Sequence, residues 1–397
     1  MLGDAVSRRL CSLEGKALCA GARRRTGLGD FGDPPVEPAL SVLVSSLERE
    51  ADLHPLGRFL MRSHLRSILE TRLRLAAAWA GRLEALEASP IQRPVFITGM
   101  PRSGSTFLHE LLAEDPDNRA PRVWEVMFPA PPPGAERRQR DPGVRKAAAC
   151  LWWFRRIVPQ ADSVYPVRAC TPHECVAIHS FTLLSEEFVS TCRVPTYEAF
   201  LRSEGLGPAY EWQKRFLQHL QRRCPAKRWV LKSPDHAYGL EELFSVFPDA
   251  VIIQTHRDPL EVLRSSSQLI AALQSLFARP GNHGQIAARE ARVLAGAMER
   301  FIRFRDVHPG LAGRFIDVKY SELASDPLAA VRRIYQQLEI PLTEVAAGRI
   351  RRLISNRSRH RGHRTNRTLA DLGFDVQAEV RRFSRYSLRF GVPCRPG

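Results

Sequence analysis

The sequence predicts an α/β protein in which a P-loop-type parallel sheet is flanked by helices and preceded by an N-terminal helical extension. Two observations predict this class. Short apolar runs alternate with segments of helical periodicity, and the first of these runs ends in a glycine-rich turn. With 397 residues, 44% of them hydrophobic, the chain is long enough to bury a large core.

The first element is the helical extension. Residues 38–88 are rich in Leu, Ala, Arg and Glu, and apolar side chains recur at helical spacing, as at Leu65, Ile68 and Leu69. The pattern stops near Ser89 and Pro90, which are typical of a helix end. We predict two or more amphipathic helices in an N-terminal segment that covers residues 1–90.

The alternation of strands and helices begins after this segment. A Pro-rich loop at 129–133 and a helix at 142–158 interrupt it. The predicted strands are 93–99, 228–231, 250–255 and 314–318, and the helices that follow them start near 105, 240, 260 and 327. Strands that alternate with helices favour a parallel, doubly wound sheet. We assign residues 91–345 to this core and residues 346–397 to a basic C-terminal segment.

The charge balance restricts the partners. The chain has 59 Lys and Arg against 42 Asp and Glu, a net charge of +17, which favours nucleic acid, acidic lipid or phosphorylated small molecules. Arginines interrupt every apolar stretch before it reaches roughly 18 residues, which excludes a membrane-spanning helix. We find no secretory leader, and the eight scattered cysteines suit reduced thiols, so we expect a cytoplasmic protein.

The most informative stretch is residues 99–106, Gly-Met-Pro-Arg-Ser-Gly-Ser-Thr, between a predicted strand and a predicted helix. It has the frame of a P-loop, whose backbone N–H groups and following helix N-terminus attract an anion. Ser105 stands where a nucleoside triphosphatase (NTPase) has the lysine that binds the β- and γ-phosphates. The loop therefore favours a ligand with fewer phosphates, and a kinase or NTPase is disfavoured.

Residues 96–108 resemble the 5′-phosphosulfate loop of sulfotransferases that use 3′-phosphoadenosine-5′-phosphosulfate (PAPS). The motif His256-Arg257-Asp258-Pro259, with Ser265 on the next helix, resembles the 3′-phosphate-binding element of the same superfamily. At that spacing an arginine fork and a serine hydroxyl can face one phosphate. The resemblance implies that PAPS is bound by Pro101, Arg102, Ser103, Gly104, Ser105, Thr106, Arg257 and Ser265.

The wider pattern is similar to bacterial-type sulfotransferases whose loops resemble those of tyrosylprotein sulfotransferases. Further family-like segments are 26–33, 124–129, 231–236 and 368–374. Residues 361–364, Arg-Gly-His-Arg, resemble an element that closes over the 3′-phosphate, although the family's tyrosine near this point is absent. The resemblance therefore implies that the basic C-terminal segment 346–397 closes over the cofactor. The resemblance implies an enzyme that transfers the sulfuryl group of PAPS to a hydroxyl and releases 3′,5′-bisphosphoadenosine (PAP).

Transfer to a hydroxyl needs a base that takes the acceptor proton. Family members place a glutamate shortly after the phosphosulfate loop, and Glu125 stands at about that position. A helix-capping glutamate is the alternative interpretation. Glu174 is the second candidate, and His109 and His236 are further ones, with His109 favoured as a packing residue.

Transfer also needs positive charge at the oxygen that leaves. The resemblance implies that Lys232, at the end of a predicted strand, supplies it, and that Arg102 contacts the phosphosulfate. The alternatives are a solvated lysine at 232 and, for Arg257 and Ser265, a helix-capping salt link.

Three other features leave alternatives open. Cys170, His173, Cys175 and His179 match no common zinc spacing, so we predict no metal site. The arginine-rich run 349–367 supports a rival hypothesis, a basic nucleic-acid-binding module on an inactive P-loop scaffold, although we expect no nucleic acid partner. Residues 151–154 and 181–184 either line a pocket for a small, apolar, hydroxylated acceptor or form core, and core is favoured.

Overall fold

The computed structural model describes residues 10–132, 141–164, 166–357 and 368–395. The strands within these ranges are β1 (Val95–Gly99), β2 (Asn118–Arg119), β3 (Arg228–Lys232), β4 (Val251–His256) and β5 (Phe315–Lys319). The helices before β3 are α1 (Gly15–Thr26), α2 (Glu37–Arg49), α3 (Pro55–Trp79), α4 (Leu83–Glu87), α5 (Ser105–Leu112), α6 (Val123–Met127), α7 (Pro142–Ile157), α8 (Ala161–Val164), α9 (Cys175–His179), α10 (Glu186–Thr191), α11 (Pro195–Glu204) and α12 (Gly207–Gln221). The later helices are α13 (Leu240–Val246), α14 (Pro259–Ser275), α15 (His283–Val307), α16 (Tyr320–Ser325), α17 (Pro327–Gln337), α18 (Glu344–Arg357), α19 (Val376–Arg382) and α20 (Ser384–Phe390).

The five strands form one parallel sheet in the order β2-β3-β1-β4-β5. Strand β1 is central, with Val95 opposite both Val230 of β3 and Val251 of β4. Every residue of β1 and β4 is buried, as expected of strands covered on both faces. Because the strands are parallel, their carboxyl ends share one edge, where ligands of such sheets bind.

The predicted fold class is confirmed. The predicted strands and the helices after them are present, with ends within two residues of those expected. The edge strand β2 was not predicted, because its two residues are too few to show the pattern of a strand.

The chain divides into two compact units, each made of separate stretches. We call the described parts of Met1–Ile91, Pro121–Pro225 and Ile270–Gly281 the helical unit. The described parts of Gln92–Ala120, Ala226–Leu269 and Asn282–Gly397 form the sheet unit, and the boundary between the units crosses α14. The predicted division of the chain into segments 1–90, 91–345 and 346–397 separates parts with different roles, and it stays a prediction.

The core of the sheet unit joins the strands to α5 and α17. Ile97, Ile253 and Val318 pack against Leu108 and Val331, and all five are buried. This packing fixes the start of α5, and with it the loop that precedes the helix.

The helical unit contains a buried arginine, Arg72 of α3. Its guanidinium donates to the carbonyls of Phe31 and Gly32 at 2.8 and 2.9 Å and to that of Phe181 at 2.6 Å. It also stacks over the Trp212 ring at 4.3 Å. Burial lowers the pKa of Arg72 to about 10, so the side chain stays charged and holds the family-like segment 26–33 to α3.

The two aromatic segments differ in burial. Phe181, Leu183 and Leu184 are buried, as predicted for core. For Trp152 and Trp153 the core prediction is wrong, because α7 turns Ala147 inward and leaves both indoles exposed. Within the described ranges, no helix combines the length and apolar composition needed to cross a membrane.

Candidate active site

Two glycines set the course of the loop after β1. Gly99 has φ 128°, and a Cβ added there would lie 2.4 Å from the carbonyl oxygen of Thr255. Gly104 has φ 92°, and its Cβ would lie 3.0 Å from the ring of Tyr320. Both positions therefore require glycine, because the backbone conformation and the neighbouring atoms exclude a side chain.

Ser103 fixes the loop to the neighbouring strand. Its buried Oγ lies 2.5 Å from the carbonyl oxygen of Met100, to which it donates, and 2.6 Å from Oγ1 of Thr255. The Thr255 hydroxyl in turn donates to the carbonyl of Thr98 at 3.1 Å. These contacts hold the loop to strand β4.

The start of α5 is suited to an anion. Its N-cap is Gly104, which has no side chain to accept from the first backbone N–H groups of the helix. Such N–H groups and the positive end of the helix dipole attract phosphate or sulfate. Arg102 precedes them with φ 64°, a left-handed conformation that non-glycine residues adopt rarely and often at functional sites.

The structure brings Arg102, Arg257 and Ser265 together. The Nε of Arg102 donates to Oγ of Ser265 at 3.1 Å, and the guanidinium of Arg257 donates to the carbonyl of Arg102 at 2.9 Å. Arg257 also stacks over the Tyr320 ring at 4.2 Å and pairs with Glu261 at 2.8 Å. The salt link that was the alternative interpretation is therefore present between Arg257 and Glu261, but Arg257 also binds the loop through the carbonyl of Arg102.

The local charges favour an anion at this point. Loss of hydration lowers the pKa of Arg102, and the positive charge of Arg257 lowers it further. Two guanidinium groups that repel each other are stabilised by a negatively charged ligand placed between or beside them. This electrostatic arrangement, together with the absence of a side-chain cap at the start of α5, makes the loop a candidate anion-binding site.

A second layer of side chains holds the strand end that carries Arg257. His256 is buried and donates from Nε2 to Asp317 at 2.9 Å, which Arg305 binds with two nitrogens at 2.7 and 3.0 Å. Its Nδ1 lies 3.2 Å from the hydroxyl of Tyr386, and its ring stacks on Phe390 at 4.2 Å. Burial lowers the pKa of His256 despite the carboxylate, so the ring is neutral and Nδ1 accepts from Tyr386.

The C-terminal segment makes a further contact with the same loop. The backbone N–H of Arg395 donates to one carboxylate oxygen of Asp258 at 3.0 Å, while the other accepts from the N–H of Leu260 at 2.9 Å. Sequence reasoning missed Tyr386, Phe390 and Arg395, since only the unexplained histidine of the His-Arg-Asp-Pro motif pointed to partners there.

Lys232 ends β3 beside Ile97 of the central strand. Its side chain is only 2% exposed, so the interpretation as a solvated lysine is wrong. The next residue, Ser233, donates its N–H to the carbonyl of Ile97 at 3.2 Å, which continues the pairing beyond the strand. A lysine buried at the ligand-binding edge of a parallel sheet is a candidate for contact with an anion.

The two candidate carboxylates belong to the helical unit. Glu125 on α6 is fully buried, and its Oε2 accepts from the N–H of Arg122 at 2.9 Å, so it does cap the helix. Glu174 is half-buried at the N-cap position of α9. An antiparallel bridge between Arg122 and Pro172 joins the backbones that carry them.

The histidine candidates lie in the sheet unit. His109 is buried on α5 with Nε2 3.1 Å from the carbonyl of Val230, as expected of a packing residue. His236 is also buried and meets the Phe96 ring edge-on at 4.9 Å. These contacts favour structural roles for both.

Two members of the cysteine–histidine cluster, Cys175 and His179, form hydrogen bonds with Gln213 inside the protein. Nε2 of His179 and Oε1 of Gln213 are 2.7 Å apart, and Gln213 donates to Sγ of Cys175 at 3.3 Å. Burial lowers the pKa of His179 to about 4. In the part of the chain that the structure describes, no group of three or more His, Cys, Asp or Glu side chains is arranged to hold a metal ion.

The arginine-rich run begins on α18. Arg349, Arg351 and Arg352 are exposed there, and Arg351 pairs with Glu344 at 3.4 Å. The rest of the run, from residue 358 to 367, lies outside the described residues, and so does the predicted closing element 361–364.

A parallel sheet with a glycine loop before a helix that has no side-chain cap defines a P-loop-type fold. Residues 94–344 match the sulfotransferase family, and the chain belongs to that family. It is an enzyme of the bacterial sulfotransferase type, as the sequence motifs predicted.

Known relatives cover most of the chain. The omega-hydroxy-beta-dihydromenaquinone-9 sulfotransferase Stf3 of Mycobacterium bovis is 26% identical over 293 residues, 69% of each chain. The crystal structure of STF9 from Mycobacterium avium matches 95% of this chain and 97% of its own, with 28% identity and a TM-score of 0.86. That of STF1 from Mycobacterium tuberculosis matches 93% and 98%, with 30% identity and a TM-score of 0.82.

Proposed function

We propose that this sulfotransferase uses PAPS as its donor and transfers the sulfuryl group to a hydroxyl of an apolar acceptor. The observation that carries the proposal is the link from Arg257 through the loop carbonyl of Arg102 to Ser265. It joins an anion-binding loop to a second anion-binding arginine, as a nucleotide with both a 5′- and a 3′-anion requires.

The residues fit the donor. The loop from Gly99 to Thr106 and the first N–H groups of α5 would hold the 5′-phosphosulfate, and a side chain at either loop glycine would fill the cradle. Arg257 and Ser265 would hold the 3′-phosphate. Burial and, to a smaller degree, the positive charge of Arg257 lower the pKa of Arg102, which supports this assignment, since a bound anion would offset both.

When bound, PAPS supplies an activated sulfuryl group, and PAP is the product that leaves. The buried ammonium of Lys232 is assigned to the leaving oxygen, where it stabilises developing negative charge. Glu125 is assigned to the acceptor and takes the hydroxyl proton as the oxygen bonds to sulfur, with Glu174 as the second candidate. The other residues bind and orient.

The proposed class of acceptor rests on the similarity of this chain to Stf3. The name of Stf3 gives an omega-hydroxylated dihydromenaquinone as its substrate, which is a hydroxyl on a large apolar body. We assign the same class of acceptor to this chain, a hydroxylated lipid or similar apolar alcohol. An acceptor screen that yields sulfated sugars or peptides and no sulfated lipid alcohol would contradict this.

Calorimetric titration with PAP, 5′-AMP and ATP with magnesium tests the donor. Wild type should bind PAP more tightly than AMP. The Arg257→Ala substitution should lower the affinity for PAP by roughly 10- to 100-fold, because charge-assisted hydrogen bonds are lost. The matched control is Arg74→Ala on α3, which also removes an arginine paired with a glutamate four residues away and should leave PAP binding unchanged. Absence of PAP binding by wild type overturns the proposal. Salt-dependent RNA binding without nucleotide binding would support the rival nucleic-acid module instead.

A further inference from the structure

Helix α7 of the helical unit presents an exposed aromatic surface. Trp152 is 48% and Trp153 61% exposed, and the two rings meet edge-on at 4.8 Å. The remaining four of the six tryptophans, at 79, 124, 212 and 229, are buried. Two adjacent exposed indoles are costly in water, because each leaves a large apolar surface hydrated.

A small apolar cluster links α7 to α3. Leu60 of α3 packs with Phe154 and Val158 in one small apolar cluster. The exposed Leu56 and Phe59 lie within one helical turn of Leu60. The exposed Trp152, Trp153 and Ile157 lie within two residues of Phe154 or Val158.

We call these five exposed side chains the α3–α7 patch: Leu56, Phe59, Trp152, Trp153 and Ile157. They are five of the ten large exposed hydrophobic side chains in the described part of the chain. Their concentration around one cluster distinguishes the patch from scattered apolar residues, which need no explanation.

The charge around the patch is positive. Between Pro142 and Ile157, α7 carries Arg145, Lys146, Arg155 and Arg156 and no acidic residue. Arg155 is paired with Asp162 at 2.9 Å, whereas Arg145, Lys146 and Arg156 are exposed. The Arg156 guanidinium lies 5.0 Å from the Trp152 ring, so cation and indole lie side by side on the surface.

We propose that the α3–α7 patch docks the protein on the surface of an anionic lipid bilayer. Trp and Lys or Arg side by side on one helix face are typical of helices that lie in the headgroup region, where indoles enter the interface and cations meet lipid phosphates. A second copy of this patch would place like charges together, whereas an anionic bilayer offers phosphates to the cations and an apolar boundary to the adjacent exposed indoles. The bilayer therefore fits best.

Helix α7 lies on the membrane and does not enter it. It has 16 residues and four positive charges, while a spanning helix needs roughly 20 mostly apolar residues. Its inner face is held by the protein, since Ala147 and Phe154 pack in separate clusters. The proposal is independent of the donor and of the catalytic residues.

Vesicle co-sedimentation tests the proposal with the full-length protein. Vesicles of phosphatidylcholine with about a third phosphatidylglycerol should retain wild type, and pure phosphatidylcholine should retain at least tenfold less. The double substitution Trp152→Ala and Trp153→Ala should lower binding to anionic vesicles at least tenfold. Arg145→Gln with Arg156→Gln should lower it and reduce its salt dependence. Leu83→Ala, at a side chain 51% exposed in the same unit, is the matched control and should bind as wild type.

Fluorescence supplies an independent readout. Because the other four tryptophans are buried, a blue shift on vesicle binding and quenching by brominated lipid report Trp152 and Trp153. Circular dichroism establishes that each variant is folded. Equal binding by wild type and the tryptophan variant overturns the proposal, as does equal binding to neutral and anionic vesicles. Concentration-dependent self-association that the tryptophan substitutions abolish, without vesicle binding, would identify the patch as a protein interface instead.

Discussion

The two compact units present their chemistry in different ways. In the sheet unit, the residues proposed to bind the donor's anions follow the ends of β1 and β4, and a layer of side chains that reaches helix α20 holds them. In the helical unit, the candidate carboxylates start short helices, and what joins them is a backbone bridge between Arg122 and Pro172. The first arrangement can be recognised from local sequence, and the second depends on segments 50 residues apart.

The largest effect is expected from the base, and it tests whether the helical unit contributes chemistry at all. Glu125→Gln should lower kcat by roughly 10²- to 10⁴-fold, because the amide cannot accept the acceptor proton. PAP affinity should stay unchanged. Steady-state kinetics on a hydroxylated lipid acceptor, with circular dichroism of the variant, provides the measurement.

Glu174→Gln is the matched control for this experiment. If Glu125 acts as the base, the Glu174 variant keeps most of the wild-type rate. A large loss at Glu174 with little at Glu125 would exchange their roles and leave Glu125 as a helix cap.

The buried lysine of the sheet unit should have the next largest effect. Lys232→Met keeps an apolar stem of similar length and removes the charge, so kcat should fall by roughly 10²- to 10³-fold as stabilisation of the leaving oxygen is lost. Lys227→Met is the control, since Lys227 is 75% exposed and paired with Asp117. Equal rates for both variants would remove Lys232 from the reaction.

A smaller effect is expected from the layer behind Arg257. Tyr386→Phe removes the hydroxyl that His256 accepts from, so PAP should bind roughly three- to tenfold more weakly. AMP, which lacks the 3′-phosphate, should bind as before, and this separates positioning of Arg257 from general damage.

A double-mutant cycle sharpens the test of that layer. In the Arg257→Ala background, Tyr386→Phe should have no further effect on PAP binding, since the group that it positions is gone. Additive losses would show that Tyr386 acts through the fold as a whole and not through Arg257.

The smallest effect concerns the histidine–carboxylate pair of the helical unit, where Nε2 of His64 lies 2.8 Å from Glu187. Burial opposes the charged imidazole, but the carboxylate raises the pKa of His64 above its ordinary value. In Glu187 burial opposes ionisation, but His64 lowers the pKa below its ordinary value. In His256 of the sheet unit burial dominates and the pKa is lowered, so the pKa values of the two histidines shift in opposite directions.

The sign of the pH effect follows from these directions. Stabilisation through His64 is complete below about pH 6.5 and is lost as pH rises through the pKa of His64 in the folded protein. Stabilisation through Glu187 is complete above about pH 4.5 and is lost as pH falls through the pKa of Glu187 in the folded protein. His64→Gln should therefore destabilise most near pH 5.5 and least near pH 8. With side chains 39% and 25% exposed, the effect should stay below about 1 kcal/mol. Urea unfolding at both pH values measures it, with the exposed His283→Gln as control; a larger effect at pH 8 would contradict the assignment.

Sequence predicted most where local rules suffice. The apolar run 95–99 and the glycines at 99 and 104 determine a strand, a turn and a helix start within ten residues. Burial of Lys232 was not predictable, since it depends on the strands on either side. Likewise, Trp152 and Trp153 look like core by composition, and only the packing of α7 through Ala147 exposes them.

The central position of β1 has a consequence for synthesis. Its partners at Val230 and Val251 come 135 and 156 residues after Val95. At roughly 5–20 residues per second, β1 waits on the order of ten seconds or more with both edges unpaired. Thr255, which holds the loop through Ser103, is made later still. A nascent chain that stops before residue 251 therefore carries the loop sequence without a sheet to shape it.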